Sequence, residues 1–408
     1  FRLIDLAEDA DGIIARLLDL PGKPSVALEL EGTGPLSDYT ATLTLATDNA
    51  ERLAGDLTLT QSDAGQAFSL DVGGDVTSLF APEYQDFFGP DVSLVAAGIA
   101  AAEGGFDLSE LTLSAQHVTL DGTLRTDANG LPEMVALTGE IIDATGKSVL
   151  LPLAGDPTFV QSMDLVIAYD RQLSDDWTAA FDIADLARPG LAIDTVRLNG
   201  GGTLVAADTT AVAASFAYGA TGLTLDDVGM AEALGNVISG DLQIDYQSGT
   251  PTRIERLTLS GPGIDLTANA EILGPEKGLR TTSNVTLNVD TLTRFATLTG
   301  LDLSGAASLD IASIISPFDG FYEIELAGDT QDLGTGIAEV DGLISGAGTL
   351  ALQAERDTAG TRLNRLRIAT PAAEITANAQ IKIHRSAADV FEAFADPEIM
   401  TKFWFPRA

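Results

Sequence analysis

The 408-residue sequence contains no cysteine, and its 2 histidines, His117 and His384, lie far apart along the chain. Disulfides and thiolate metal sites are therefore excluded. Neither a catalytic triad nor a zinc site can be assembled, because the chain also lacks a Gly-x-Ser-x-Gly motif. The only tryptophans are Trp177 and Trp404, so the chain lacks the aromatic platforms expected beside the paired acids of a glycosidase. We expect neither catalysis nor a cofactor.

Basic residues are scarce, with 22 Lys and Arg against 60 Asp and Glu and a net charge of −38. A nucleic-acid partner is excluded because neutralising phosphates requires basic surface. Acidic side chains on the solvent-exposed faces of strands would keep a hydrophobic chain soluble. Binding of divalent cations remains an alternative, although the acidic segment 8–12 lacks the later ligands of a calcium loop.

Long apolar runs are also missing. No window reaches the ~18 consecutive apolar residues of a transmembrane helix, and the longest candidate, residues 92–102, is too short. The chain begins with Phe1, and no basic segment followed by an apolar one marks a signal peptide. We expect neither a signal peptide nor an anchor, and we interpret the chain as an internal piece of a longer protein.

Strict alternation dominates what is present. Between Ile264 and Ile272 every second residue is apolar, which is typical of a strand with one solvent-exposed face. Leu257 and Leu259 alternate in the same way before it, and residues 261–263 read Gly-Pro-Gly, a turn sequence. The stretch 252–272 therefore predicts a β-hairpin.

This hairpin sequence recurs. Residues 361–381 align with 252–272 without a gap and share the Thr-Ala-Asn-Ala core, and a shorter copy begins at Leu111. A second signature, Leu/Ile-x-Gly-x-Gly/Ala-x-Leu, stands at 30–36, 198–204, 303–309 and 344–350. Recurring strand-turn units indicate an elongated β repeat protein.

Few segments favour helix. Residues 76–103 break the alternation and predict one or two short helices, and Asp227 is a candidate N-cap for another. A third is expected within 290–298, while residues 1–20 fit a short helix or a strand. About ten strands with about three apolar side chains each expose roughly 3,000 Å², whereas a soluble monomer rarely shows a patch above roughly 300–600 Å². A facing sheet, closure into a barrel or a bound apolar ligand would cover it.

Residues 1–373 resemble the periplasmic part of the TamB family, the AsmA-like subunits of the translocation and assembly module. The resemblance rests on the order of strands and on four motifs, which are Leu-Pro-Gly-Lys-Pro at 20–24, Leu-Glu-Gly-Thr-Gly-Pro-Leu-Ser-Asp at 30–38, Leu-Phe-Ala-Pro-Glu-Tyr at 79–84 with Phe-Gly-Pro at 88–90, and Val-Leu-Leu-Pro-Leu-Ala-Gly at 149–155.

The resemblance implies a mainly β fold, an elongated repeat sheet curled into an open trough with a few short helices. It further implies a periplasmic, non-enzymatic protein that conducts phospholipid acyl chains, supports outer-membrane biogenesis and protein assembly, and works with an Omp85-family outer-membrane barrel. The family's inner-membrane anchor is not in this sequence. We expect the groove to be lined by Leu257, Leu259, Ile264, Leu266, Ile272, Leu366, Ile368 and Ile375.

The tail departs from this pattern. Residues 374–408 resemble the start of a START-like (SRPBCC, helix-grip) domain, with Ser386 as an N-cap and Pro397 opening a second helix. A stretch of 35 residues is far below the ~100 or more of an ordinary domain, so a truncation or a chimeric join is expected. An ordinary helical cap on the end of the β array is the alternative.

Other functions remain open. The main alternative is a secreted acidic β-solenoid or sandwich that acts as an adhesin or polysaccharide binder, with a core closed by its own side chains. A β-helix polysaccharide lyase is disfavoured because the sequence offers no acid–base constellation.

Overall fold

The computed structural model describes residues 2–153, 155–205, 211–274, 277–358 and 360–381. The expected fold class is confirmed. The described residues form 25 strands in an open antiparallel sheet that is not closed into a barrel, with only short helices. The chain divides into two compact units, Phe1–Thr210 and Ala211–Ala408, which are described separately.

The first unit holds strands β1 to β14. Their bounds are β1 Arg2–Glu8, β2 Val26–Thr33, β3 Asp38–Thr47, β4 Ala50–Ser62, β5 Gly65–Gly74, β6 Val92–Ala101, β7 Phe106–Ser114, β8 Val118–Thr126, β9 Pro132–Ile142, β10 Val149–Leu150, β11 Phe159–Val160, β12 Ser162–Asp170, β13 Asp176–Arg188 and β14 Leu191–Val205. Its α-helices are α1 Ile13–Leu17 and α2 Gln85–Phe88.

The second unit holds strands β15 to β25. Their bounds are β15 Ala211–Thr221, β16 Thr224–Leu225, β17 Val237–Gln247, β18 Thr252–Gly261, β19 Ile264–Ile272, β20 Thr281–Val289, β21 Ser304–Ser316, β22 Phe321–Gly334, β23 Ala347–Asp357, β24 Gly360–Ala369 and β25 Glu374–Ile381. Its α-helices are α3 Val228–Leu234, α4 Ala296–Thr299 and α5 Ala338–Ile344.

The predicted hairpin is confirmed as β18 and β19. Leu259 pairs with Leu266 across it, and the chain turns at Pro262 and Gly263. The aligned copy forms β24 and β25 with equivalent pairs, since Leu257–Ala268 in the first hairpin corresponds to Leu366–Ala377 in the second.

Each hairpin carries a β-bulge that the sequence analysis missed. The register shifts between Ile254 and Leu257 in β18 and between Leu363 and Leu366 in β24. The same shift occurs between Leu108 and Leu111 in β7, at the start of the shorter copy. A bulge adds one residue to a strand, so two polar residues separate neighbouring inward-facing apolar ones. The spacing Leu-x-x-Leu or Ile-x-x-Leu inside an alternating run was its signal.

The predicted helices lie close to where the sequence indicated them, with one correction, and α5 was not predicted. Residues 77–79 and 82–84 form 3₁₀ turns before α2, but Val92–Ala101 is strand β6, not helix. Its run of alanine and valine hides the alternation, because small apolar residues occupy both faces. The side chain of Asp227 accepts a hydrogen bond of 2.7 Å from the backbone N–H of Met230 and so caps α3 as predicted.

The remaining helix expectations also have clear outcomes. A 3₁₀ turn at Leu292–Phe295 leads into α4, which agrees with the helix expected within 290–298. Residues 1–20 contain both a strand, β1, and a short helix, α1. Among the described residues no helix is long and apolar enough to cross a membrane.

The sheet of the second unit has two unlike ends. At the first, here called the helix end, α3, α4 and α5 connect successive strands. At the second, the hairpin end, tighter connections join β17 to β18, β19 to β20, β21 to β22 and β23 to β24.

Two copies of the glycine signature open β21 and β23 at the helix end, where Gly305 and Gly346 have φ of 92° and 84°. These positive values favour glycine.

The boundary expected at residue 374 falls inside the sheet, since β25 (Glu374–Ile381) pairs with β24. The helix-grip or cap prediction concerns mainly residues 382–408, which lie outside the described residues, as do His384, Ser386, Pro397 and Trp404.

We expect Gly240→Ala to destabilise the second unit. A Cβ at this β17 position would lie 1.9 Å from the backbone oxygen of Thr258 and 2.7 Å from the hydroxyl of Tyr218. The Tyr218 hydroxyl donates a 2.7 Å hydrogen bond to that same oxygen, so neither group can move freely. The clash should lower the free energy of unfolding by roughly 1–3 kcal/mol.

The matched control is Gly219→Ala on β15, where a Cβ would meet no atom within 4 Å. Removing backbone freedom there should be neutral or stabilise by up to about 1 kcal/mol. Urea unfolding followed by circular dichroism measures both variants, and equal midpoints would contradict the close strand approach at Gly240.

Candidate functional site

One face of the second unit's sheet is apolar across its whole width. We call it the second apolar face. Its central row follows cross-strand pairs through β15 and β17 to β25, with one residue from each strand. The row consists of Phe216, Leu242, Leu257, Ala268, Val285, Ile311, Leu326, Leu352, Leu366 and Ala377. Cross-strand neighbours of this kind lie about 5 Å apart, so the row is continuous.

A parallel row lies nearer the helix end. It consists of Leu259, Leu266, Leu287, Leu309, Gly328, Leu350, Ile368 and Ile375. Neither row contains a charged residue or a hydrogen-bonding side chain. These two rows therefore offer a partner dispersion contacts and little else.

The first unit has a similar surface, the first apolar face. A row through β2–β9 and β12–β14 consists of Leu30, Leu43, Gly55, Val72, Leu94, Leu113, Leu120, Gly139, Leu165, Phe181 and Leu198. No lining residues were predicted in this unit. Their signal was the same alternation, but the order of residues across the sheet emerges only once the strands are paired.

The opposite face of the second unit carries most of the polar and charged residues. Thr286 donates a 2.7 Å hydrogen bond to Asp310 on the next strand, and Arg253 pairs with Glu271. The hydrogen bond from Arg362 holds the pKa of Glu355 below its usual range, and Glu355 in turn raises the pKa of Arg362. The charge of this unit is thus kept away from its apolar rows.

None of the side chains in the two second-unit rows is fully buried. Each strand makes its extensive contacts with its neighbours in the sheet, and the side chains of both second-unit rows are half-buried, except for exposed Ala377. Full burial occurs at the helix end, where Ile264, Val289 and Ala307 lie. Most of the second apolar face therefore remains open to solvent.

The first unit is covered in places. Phe87 of α2 joins Val149, Leu151 and Val160 in a buried cluster against one end of the sheet. Tyr39 is buried with Leu30 and Ala41 in another cluster. Parts of the first apolar face are buried in these clusters, and most of its central row stays half-buried.

The eight predicted lining residues all lie on strands of the second unit. Leu257, Leu259, Leu266, Leu366, Ile368 and Ile375 belong to the two rows, and Ile272 lies on the same face at the hairpin end. Each of these is half-buried. Ile264 is 6% exposed and pairs with Val289 at the helix end, so it belongs to the covered part of the face.

His117 is buried between two carboxylates. Its Nε2 lies 3.4 Å from Asp86 of α2 and its Nδ1 lies 3.5 Å from Asp143. The imidazole is 5% exposed, and its backbone N–H donates to the carbonyl oxygen of Phe87. These contacts fasten α2 to the sheet, which is a packing role. No group of three or more potential metal ligands occurs in the part of the chain that the structure describes.

Asp143 organises the loop after β9. Its carboxylate accepts hydrogen bonds from the Thr145 hydroxyl, from the backbone N–H of Thr145 at 2.7 Å and from that of Lys147 at 3.2 Å. These bonds, led by the Thr145 hydroxyl, lower the pKa of Asp143 from 3.8 to about 2. A depressed folded-state pKa means that the ionised form stabilises the fold above the unfolded pKa.

We expect the stabilisation from the charge of Asp143 to be complete above about pH 4 and to disappear as the pH falls towards 2. Asp143→Asn should therefore lower the thermal midpoint at pH 7 and have a much smaller effect near pH 2. Asp63→Asn, at an exposed turn residue between β4 and β5, is the matched control. A loss of stability that is the same at both pH values would contradict this role of the charge.

The chain was compared with protein-family models, curated proteins and solved structures, and none of them matches it.

Proposed function

We propose that this chain is a non-enzymatic conduit for phospholipids, in which acyl chains lie along the apolar faces of the sheet. The observation that carries the proposal is the set of unbroken apolar rows, because the side chains of both second-unit rows are not fully buried. A sheet with one apolar face ordinarily buries it against another layer of structure. Here the missing layer is assigned to lipid.

The amount of open apolar surface supports this assignment. At partial exposure, the rows of the second unit leave on the order of 1,000 Å² of apolar surface accessible, whereas the largest patch on a typical monomer is roughly 300–600 Å². Patches larger than this mark an interaction site. The main alternative, an adhesin with a core closed by its own side chains, requires these side chains to be fully buried, and they are half-buried.

The chemistry of the face favours acyl chains over sugars or polar peptides. The two rows provide no donor or acceptor to replace the hydrogen bonds that a polar ligand would lose on leaving water. The central row crosses β15 and β17 to β25 at about 4.8 Å per strand, or roughly 40 Å along the sheet. One acyl chain spans about half of the ~30 Å hydrocarbon core of a bilayer, or about 15 Å. The row is long enough for chains to lie end to end.

The cellular setting belongs to the same proposal. The TamB-like motifs of residues 1–155 support a periplasmic location between the inner and outer membranes and an Omp85-family outer-membrane barrel as partner. In that setting the chain would supply phospholipid for outer-membrane biogenesis and support the assembly of outer-membrane proteins. Net charge of −38 would favour lipid capture through the apolar faces over adsorption to anionic membrane surfaces.

Lipid analysis of the purified chain tests the proposal directly. We expect the chain, produced in a bacterial periplasm and purified without detergent, to carry at least stoichiometric phospholipid, measured by mass spectrometry of the extract and by native mass spectrometry. Apolar rows left exposed to water forgo about 25 cal/mol for each Å² that a bound lipid would cover. A lipid-free monomer would overturn the proposal and favour the adhesin alternative.

Leu266→Asp should reduce the lipid carried by the chain severalfold while the fold survives. Leu266 sits half-buried in the row nearer the helix end, where a carboxylate would have to be desolvated by an acyl chain. Thr267→Asp is the matched control, because Thr267 is the next residue of the same strand and is exposed on the opposite face. Equal lipid content in the two variants would show that this face does not hold the acyl chains.

A further inference from the structure

The second apolar face carries one charge. From the row of Ile264 at the helix end to the row of Ile272 at the hairpin end, Arg356 of β23 is the one charged side chain that the described residues place on this face. Arg356 follows Leu352 and Ala354 at every second position of its strand. On the antiparallel neighbour, its partner Tyr322 precedes Ile324 and Leu326 with the same spacing. Arg356 therefore ends an apolar column of the sheet.

The acidic residues beside Arg356 are engaged elsewhere. Glu355 and Asp357 point to the opposite face, where Arg362 binds Glu355 at 2.7 Å and Asp357 at 2.5 Å. Among the described residues the guanidinium of Arg356 makes no hydrogen bond or ion pair, although the side chain is half-buried. A half-buried guanidinium without a counter-ion carries an uncompensated positive charge, whereas charged groups in such positions are ordinarily paired.

Two hydroxyl side chains flank Arg356 on the same face. Tyr322 of β22 pairs with Arg356 on one side, and Thr361 of β24 pairs with it on the other. Neither side-chain hydroxyl makes a hydrogen bond within the described part of the chain. Directly paired residues on neighbouring strands have Cβ atoms roughly 5 Å apart. Three unused donors thus stand in a line across adjacent strands at the hairpin end.

An apolar row adjoins this line. Ile324, Ala354 and Leu363 lie two residues further along the same strands, at roughly 3.4 Å per residue. An amphiphile with its acyl chain on the rows would place its headgroup within reach of the three donors. Arginine binds phosphate through two parallel N–H···O bonds, and such charge-assisted bonds are roughly twice as strong as neutral ones.

We infer that Arg356, with Tyr322 and Thr361, forms a headgroup site that selects phospholipids of net negative charge at the hairpin end of the second unit. The inference rests on the proposed function, because the site acts on a lipid whose acyl chain already lies on the second apolar face. A zwitterionic headgroup brings its own cation and offers Arg356 a weaker partner. Charge complementarity therefore sets the preference.

The test is a competition between two lipids. The full chain is incubated with vesicles of equimolar phosphatidylglycerol and phosphatidylcholine and recovered by gel filtration, and its bound lipids are quantified by mass spectrometry. We expect phosphatidylglycerol to exceed phosphatidylcholine by about tenfold, the factor given by one charge-assisted contact. Arg356→Gln should bring the ratio close to one and leave the bound phosphatidylcholine unchanged, while Arg356→Lys should keep part of the preference.

The matched control is Arg253→Gln, which removes the same charge from the opposite face, where Arg253 pairs with Glu271. It should retain the full preference. A wild-type ratio near one, or an unchanged ratio in Arg356→Gln, overturns the headgroup site and leaves the conduit intact. A wild-type chain that takes up neither lipid overturns the conduit and the headgroup site together. If Arg356→Gln fails to fold, the Arg356→Lys ratio and a loss of preference in high salt decide the question.

Discussion

A sheet one layer thick satisfies its backbone hydrogen bonds through neighbouring strands, but it leaves both of its faces without a protein partner. In this chain the constraint is resolved by sorting the side chains. The acids, the paired arginines and most threonines occupy one face of the second unit, and leucine, isoleucine, valine and alanine predominate on the other. Every later feature follows from this separation, because the apolar face needs a partner that the described strands do not supply.

The separation also explains the unusual composition. An open apolar face would promote aggregation in a neutral protein, and the net charge of −38 opposes it through repulsion between chains. Arginines are used sparingly and several are paired with acids, as Arg362 with Glu355 and Arg367 with Glu374 show. Glycines in the strands, such as Gly240, let neighbouring backbones approach more closely than a Cβ would allow. The sheet thus combines close strand packing with an uncovered surface.

Much of this could be read from the sequence, because a period of two specifies both a strand and its apolar face. The hairpin 252–272, its copy at 361–381 and the Asp227 cap of α3 were all predictable. Strand β6 was not, because alanines on both faces erase the period. The bulges after Ile254 and Leu363 shift the alternation, so face assignment fails without pairing. Arg356 looks like any strand arginine until its partners Tyr322 and Thr361 place it on the apolar side.

A uniform apolar face has no inherent direction, since an acyl chain gains the same contacts whichever way it lies. The two ends of the second unit differ, and the difference provides a direction. At the helix end, Ile264 and Val289 are buried, so a polar headgroup would have to be desolvated there. At the hairpin end, an unpaired guanidinium and two hydroxyls can replace the water that a headgroup loses. In the proposed conduit a phospholipid therefore has one favourable orientation, with its headgroup beside Arg356 and its acyl chains on the apolar rows.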